Sequence, residues 1–90
     1  MLEKDIERHF VKKVQEAGYL CFKFLSTVSG VPDRIIFGGG RCYLVELKNG
    51  KRGVLSALQK HVFQQFDNHG FPVVVIRSLE EADNFVAKLP

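Results

Sequence analysis

The sequence predicts an α/β chain with the element order αβββαβα, and three observations carry that prediction. Three segments, opening the chain, following its middle and closing it, repeat apolar residues at helical spacing. A glycine triplet, Gly38-Gly39-Gly40, joins two runs that alternate with a period of two. A nearly continuous apolar run, Phe71 to Arg77, has the character of a strand covered on both faces inside a sheet.

The elements follow in order. From Leu2 to Ala17, Ile6, Phe10, Val14 and Ala17 form one apolar stripe, and Gly18 ends it. Tyr19 to Leu25 is the first strand. A polar loop from Ser26 to Gly30 then leads to two strands, Asp33 to Phe37 and Arg41 to Lys48, arranged as a hairpin. Ser56 caps the second helix, with Gln59 completing a capping box, and Leu58, Val62, Phe63 and Phe66 form its stripe as far as Gly70. After the fourth strand, Ser78, with Glu81 as box partner, opens a last helix buried through Ala82, Phe85, Val86 and Leu89.

The hairpin concentrates charge. If Gly39 and Gly40 make a two-residue turn, Gly38 faces Arg41 and, counting back, Asp33 faces Glu46, while a three-residue turn shifts this register by one. Opposed residues have Cβ atoms ~5 Å apart, and Lys48 shares the face of Glu46. Two carboxylates at that separation repel by roughly 3 kcal/mol at an effective dielectric near 20. A positive charge between them relieves this. Lys48 supplies one, and oxygen ligands converging from neighbouring strands also suit Mg²⁺ or Mn²⁺. The plainer alternative is a turn aspartate beside the solvent face of an edge strand.

Composition sets the frame. Ninety residues, 46% of them apolar and eight of them Phe, make one globular domain spanning 1–90. No apolar run is long enough to cross a bilayer, and the charged start MLEKDIERHF is neither a signal peptide nor an anchor, so a cytoplasmic location is expected. Cys21 and Cys42 lack metal-site spacing and read as buried thiols. The net charge of +3 leans toward a polyanionic partner, and Lys48, Lys51 and Arg52 cluster in a glycine-loosened loop that leaves the carboxylate strand directly.

Two polar residues interrupt apolar stripes. At 100° per residue Glu3 falls in the middle of the Ile6–Phe10–Val14 stripe and Glu7 at its edge, while Gln59 falls between Phe66 and Phe63. Each needs a partner. Helix fraying accounts for Glu3 and the capping box for Gln59 without any chemistry.

These residues together resemble the VRR-NUC nucleases, a branch of the PD-(D/E)XK phosphodiesterase superfamily, in their short stand-alone form from bacteriophages and bacteria. The resemblance covers nearly the whole chain: Glu3-x-x-Ile6 in an opening helix, Lys23 in the first strand, GVPDRI at Gly30 to Ile35, VELK at Val45 to Lys48 and LSALQ at Leu55 to Gln59. It implies a restriction-endonuclease-like αβββαβ core with a mixed central sheet flanked by helices, plus a C-terminal helix. It further implies that Asp33, Glu46 and the Leu47 carbonyl ligate Mg²⁺ or Mn²⁺, with Glu3 (or Glu7) completing the shell, that Lys48 orients the attacking water, and that Gln59 steadies the water or Lys48. Lys23, Arg34, Lys48, Lys51 and Arg52 become the expected contacts to DNA. Stand-alone members look like structure-selective endonucleases that act as homodimers on branched DNA such as Holliday junctions, in a bacterial host or encoded by a phage, with no small-molecule cofactor and no membrane partner. The alternatives are a metal-free nucleic-acid-binding module on the same scaffold and a nuclease acting on linear or flapped DNA. Apolar residues near Phe71 and Val73 and along the last helix are candidates for a dimer contact, although they read first as core.

Overall fold

Each apolar stripe in the sequence becomes a packing surface. The computed structural model describes residues 2–50 and 52–90. Among them seven elements follow in the expected order: α1 (Glu3–Glu16), β1 (Leu20–Lys23), β2 (Arg34–Gly38), β3 (Arg41–Leu47), α2 (Ala57–Asn68), β4 (Val73–Ile76) and α3 (Leu79–Ala87). The sheet order is β1-β2-β3-β4, antiparallel from β1 to β3 and parallel between β3 and β4, which makes it mixed. A parallel neighbour needs a crossover, and α2 supplies it.

The hairpin takes the two-residue turn. Gly38 pairs with Arg41, and Gly39 and Gly40 have φ of 59° and 74°, the double positive φ of a type I′ turn that non-glycine residues rarely adopt. Register then runs without a slip to Arg34 opposite Val45. With the period of two, Arg34, Ile36, Tyr43, Val45 and Leu47 share one face, and Asp33, Ile35, Leu44 and Glu46 share the other.

The first face carries the main core. Ile6, Phe10 and Val14 of α1, Ile36, Val45, Leu47 and Ile76 of the sheet, and Ala82 of α3 form one buried cluster, with Phe85 packed on it against both Phe10 and Tyr43. The second face is covered by α2 through Val62 and Phe63. Ser56 caps α2 in a reciprocal box: its Oγ accepts from the Gln59 N–H at 3.0 Å, and its own N–H donates to Gln59 Oε1 at 3.0 Å. Among the described residues no helix is long and apolar enough to cross a membrane.

Several expectations need correction. Phe71 to Arg77 is not a strand covered on both faces; it shortens to Val73–Ile76, which among the described residues is an edge of the sheet, and Val74 is exposed there. Leu58 is half-exposed despite its place in the helical stripe. Glu3 does not enter the core: it is the first residue of α1 and lies beyond the cover that buries Ile6. Cys21 is buried as expected, but Cys42 is only half-buried. Glu81 Oε1 accepts from the Arg77 N–H at 3.0 Å, one residue earlier than the box predicted, although Ser78 Oγ does cap the Glu81 N–H at 3.1 Å. His9, without signal in the sequence, bonds Asp83 at 2.7 Å and so joins α1 to α3.

Phe10 is fully buried in this core, whereas Leu25 is 84% exposed. Phe10→Ala is therefore expected to lower the unfolding free energy by about 3–5 kcal/mol and Leu25→Ala by no more than about 0.5 kcal/mol. Parallel urea melts give the comparison, and similar losses in both variants contradict the assigned core.

Candidate active site

The ladder between β2 and β3 ends at Arg34 and Val45, and two side chains take over its hydrogen bonding. The Asp33 N–H donates to Glu46 Oε1 at 3.1 Å, and the Leu47 N–H donates to Asp33 Oδ2 at 2.9 Å. Each carboxylate thus serves a backbone amide on the other strand just where the strands part. Pro32, fully buried, fixes the approach by holding φ and offering no donor, while the Asp33 carbonyl accepts from the Phe24 N–H at 2.9 Å. Asp33 is therefore held from both sides.

Glu46 is 2% exposed and collects the remaining polar contacts. Its Oε2 accepts from Gln59 Nε2 at 3.0 Å and lies 3.5 Å from the Lys48 ammonium. Gln59 uses both ends of its amide, with the oxygen capping α2 and the nitrogen reaching Glu46. The capping box is present as expected, and the free end of the same amide meets Glu46 where the resemblance implied water or Lys48. An amide does what a carboxylate could not, because glutamate here would set a third negative charge against Glu46.

This environment disfavours ionisation. Burial first, and then the charge of Asp33, push the Glu46 carboxyl up to about 7 from an ordinary value of 4.5, while Lys48 and Gln59 pull it the other way. One cation does not offset the concentration of oxygen and negative charge. The donor chemistry accordingly fits a hard divalent ion: two carboxylates, each with lone pairs beyond those already engaged, and main-chain oxygen beside them, with water filling the other positions as Mg²⁺ prefers. Among the described residues no group of three His, Cys, Asp or Glu side chains gathers to hold a metal.

The other expected site residues are dispersed. Glu3 is exposed and is not gathered with Asp33 and Glu46. Glu7 accepts from Arg34 Nε at 2.8 Å on the α1 face of the sheet, which occupies both residues in an ion pair away from the carboxylates. Lys23 is exposed opposite Arg34 on β1, and Arg52 is exposed beyond β3. Lys51 lies outside the described residues. One participant had no sequence signal: Arg77, just after β4, donates through Nη1 to the Gly50 carbonyl at 2.8 Å and to the Gly53 carbonyl.

No protein-family model matches the sequence, and no curated protein matches it. A solved structure described as "VRR_NUC domain" superposes with a TM-score of 0.88 at 21% identity, covering 98% of this chain and 97% of that one. The chain therefore has the fold of a VRR_NUC domain, with three helices and a four-stranded mixed sheet among the described residues.

The raised Glu46 value fixes the sign of a pH effect. Between 4.5 and about 7 the folded chain keeps a proton that the unfolded chain has released. Stability from this group is thus present at the acid end and lost as pH rises through that window. In EDTA, the stability of the wild type relative to Glu46→Gln is expected to fall from pH 4.5 to 7 by up to a few kcal/mol. A difference that stays flat or rises with pH contradicts the assigned environment.

Proposed function

We propose that this chain is a Mg²⁺- or Mn²⁺-dependent endonuclease that hydrolyses phosphodiester bonds in DNA, acting as a homodimer on branched substrates such as four-way junctions. The observation that carries the reading is the Asp33–Glu46 pair at the parting of β2 and β3, with Lys48 and Gln59 both on Glu46. The likeness to a VRR_NUC domain supports the same class of chemistry.

The roles follow from what each group offers. Asp33, Glu46 and the Leu47 carbonyl would hold the ion. When bound, such an ion acidifies water and neutralises charge that builds on the phosphoryl oxygens. The Lys48 ammonium, anchored at Glu46, offsets charge on the scissile phosphate and orients the water that attacks it. Gln59 is a positioning residue: tied to the cap of α2, it stops Glu46 from swinging away. Glu3, exposed at the start of α1, would complete the shell directly or through water. Lys51 and Arg52, with Lys23, engage the phosphate backbone and give binding its salt dependence. A symmetric pair of chains supplies two sites for the two strands that a junction presents.

A metal-free binding module on this scaffold is the second reading, and one observation favours it: both carboxylates already have a structural task as acceptors for buried amides. Asp33→Ala would orphan the Leu47 N–H, so the informative change is Asp33→Asn, which keeps an acceptor and removes the charge. On a labelled four-way junction with Mn²⁺, Asp33→Asn is expected to cut at least roughly a hundredfold more slowly while its affinity in EDTA stays within a few-fold of wild type. Cleavage at the wild-type rate refutes the catalytic role of the pair. A flap and a linear duplex in the same assay decide the substrate, and preference for either over the junction refutes the branched-DNA assignment.

A further inference from the structure

Lys48 can act on a phosphate only if its ammonium stays at Glu46, yet it follows the last residue of β3 and opens a glycine-bearing loop. Something has to hold it there. The Lys48 N–H donates to the Ile76 carbonyl at 3.0 Å, and the Gly50 N–H to the Arg77 carbonyl at 3.1 Å, so the backbone stays laced to the end of β4 and the residue after it for three residues beyond β3. Gly53 then folds back, its N–H donating to the Asn49 carbonyl at 2.9 Å. The Arg77 guanidinium closes the loop by donating to the carbonyls of both Gly50 and Gly53. A Cβ on Gly53 would stand 2.9 Å from Lys48 Cβ, 3.3 Å from Lys48 Cδ and 2.8 Å from the Asn49 nitrogen, so the returning backbone lies directly on the aliphatic stem of Lys48.

Resting on the nuclease reading above, we propose that Arg77 is a positioning residue for Lys48: by clamping Gly50 and Gly53 it seats the Gly53 backbone against the lysine stem and aims the ammonium into the site. Arg77 suits the task because the two in-plane N–H bonds of Nη1, which donates to both carbonyls, point in fixed directions on a permanently charged group, whereas the hydrogens of an alkyl ammonium rotate freely. Glu81 binds the Arg77 main chain and not the guanidinium, and the guanidinium makes no salt bridge among the described residues. Gly53 is required for a steric reason and not a conformational one: nothing but hydrogen fits between its Cα and Lys48. Neither residue has to touch DNA or metal for this.

The test uses the full chain and a labelled four-way junction with Mn²⁺, comparing Arg77→Ala, Arg77→Lys, Gly53→Ala and Lys48→Ala with each double variant that includes Lys48→Ala. Arg77→Ala and Gly53→Ala are each expected to lower kcat roughly ten- to a hundredfold, with junction affinity in EDTA and the Mn²⁺-induced rise in Tm unchanged, and Arg77→Lys to recover part of the loss. In the Lys48→Ala background, neither change is expected to slow the reaction further, because the residue through which it acts is gone. Losses that multiply in the double variants overturn the proposal, as does wild-type kcat in Gly53→Ala, which decides the matter should Arg77→Ala fail to fold. Wild-type kcat in Lys48→Ala instead removes the catalytic role of the lysine itself and the clamp with it. A slow Lys48→Ala beside a fast Arg77→Ala removes the clamp alone.

Discussion

The site depends on an exchange of hydrogen bonds between Asp33 and Glu46 across two strands that are separating. A buried amide without an acceptor is costly, and at the end of the β2–β3 ladder two amides, those of Asp33 and Leu47, lose their main-chain partners at once. Each is satisfied by the carboxylate of the other strand. The backbone thus forces together two acids that would otherwise repel, and burial first, with that closeness second, raises the Glu46 carboxyl. A site with stored repulsion is one that gains when a divalent cation arrives.

The rest of the fold converges on this point from three directions. The type I′ turn at Gly39-Gly40 sets the register that makes Asp33 and Glu46 opposite; one residue of slip would turn Glu46 into the α1 core. The cap of α2 places Gln59 on the Glu46 carboxylate, so the helix end and the carboxylate are fixed by one amide. Behind the sheet, the cluster around Phe10, Val45 and Leu47 holds β3 rigid, which matters because Glu46 lies between two of these fully buried residues. A rigid strand keeps the side chains projecting from it in place.

Much of this was legible in the sequence because it is local. Spacing gave the seven elements, the glycine triplet gave the turn, and counting from the turn gave the opposition of Asp33 and Glu46. Gln59 stood out as a polar residue on an apolar stripe; its capping box is present, while its amide nitrogen reaches Glu46 and not the expected Lys48. What failed was what depends on tertiary cover. Helical angle put Glu3 in the core, but a residue in the first turn is buried only if another element extends over it, and none does. Phe71 to Arg77 looked like a central strand, while its edge position follows from sheet order, which composition does not encode. The Arg34–Glu7 pair and the reach of Arg77 to Gly50 and Gly53 join residues 27 and 24 or more positions apart, beyond any periodicity.

The central claim is that Asp33 and Glu46 form one shared site for a divalent cation, and thermal melting with and without Mn²⁺ tests it most directly, because an ion that binds only the folded state raises Tm whatever reaction follows. Millimolar Mn²⁺ is predicted to raise the Tm of the wild type by several degrees and to leave Asp33→Asn and Glu46→Gln almost unmoved. Equal shifts in all three proteins would mean that any ion binds elsewhere and that the two acids serve only to close the ends of their strands.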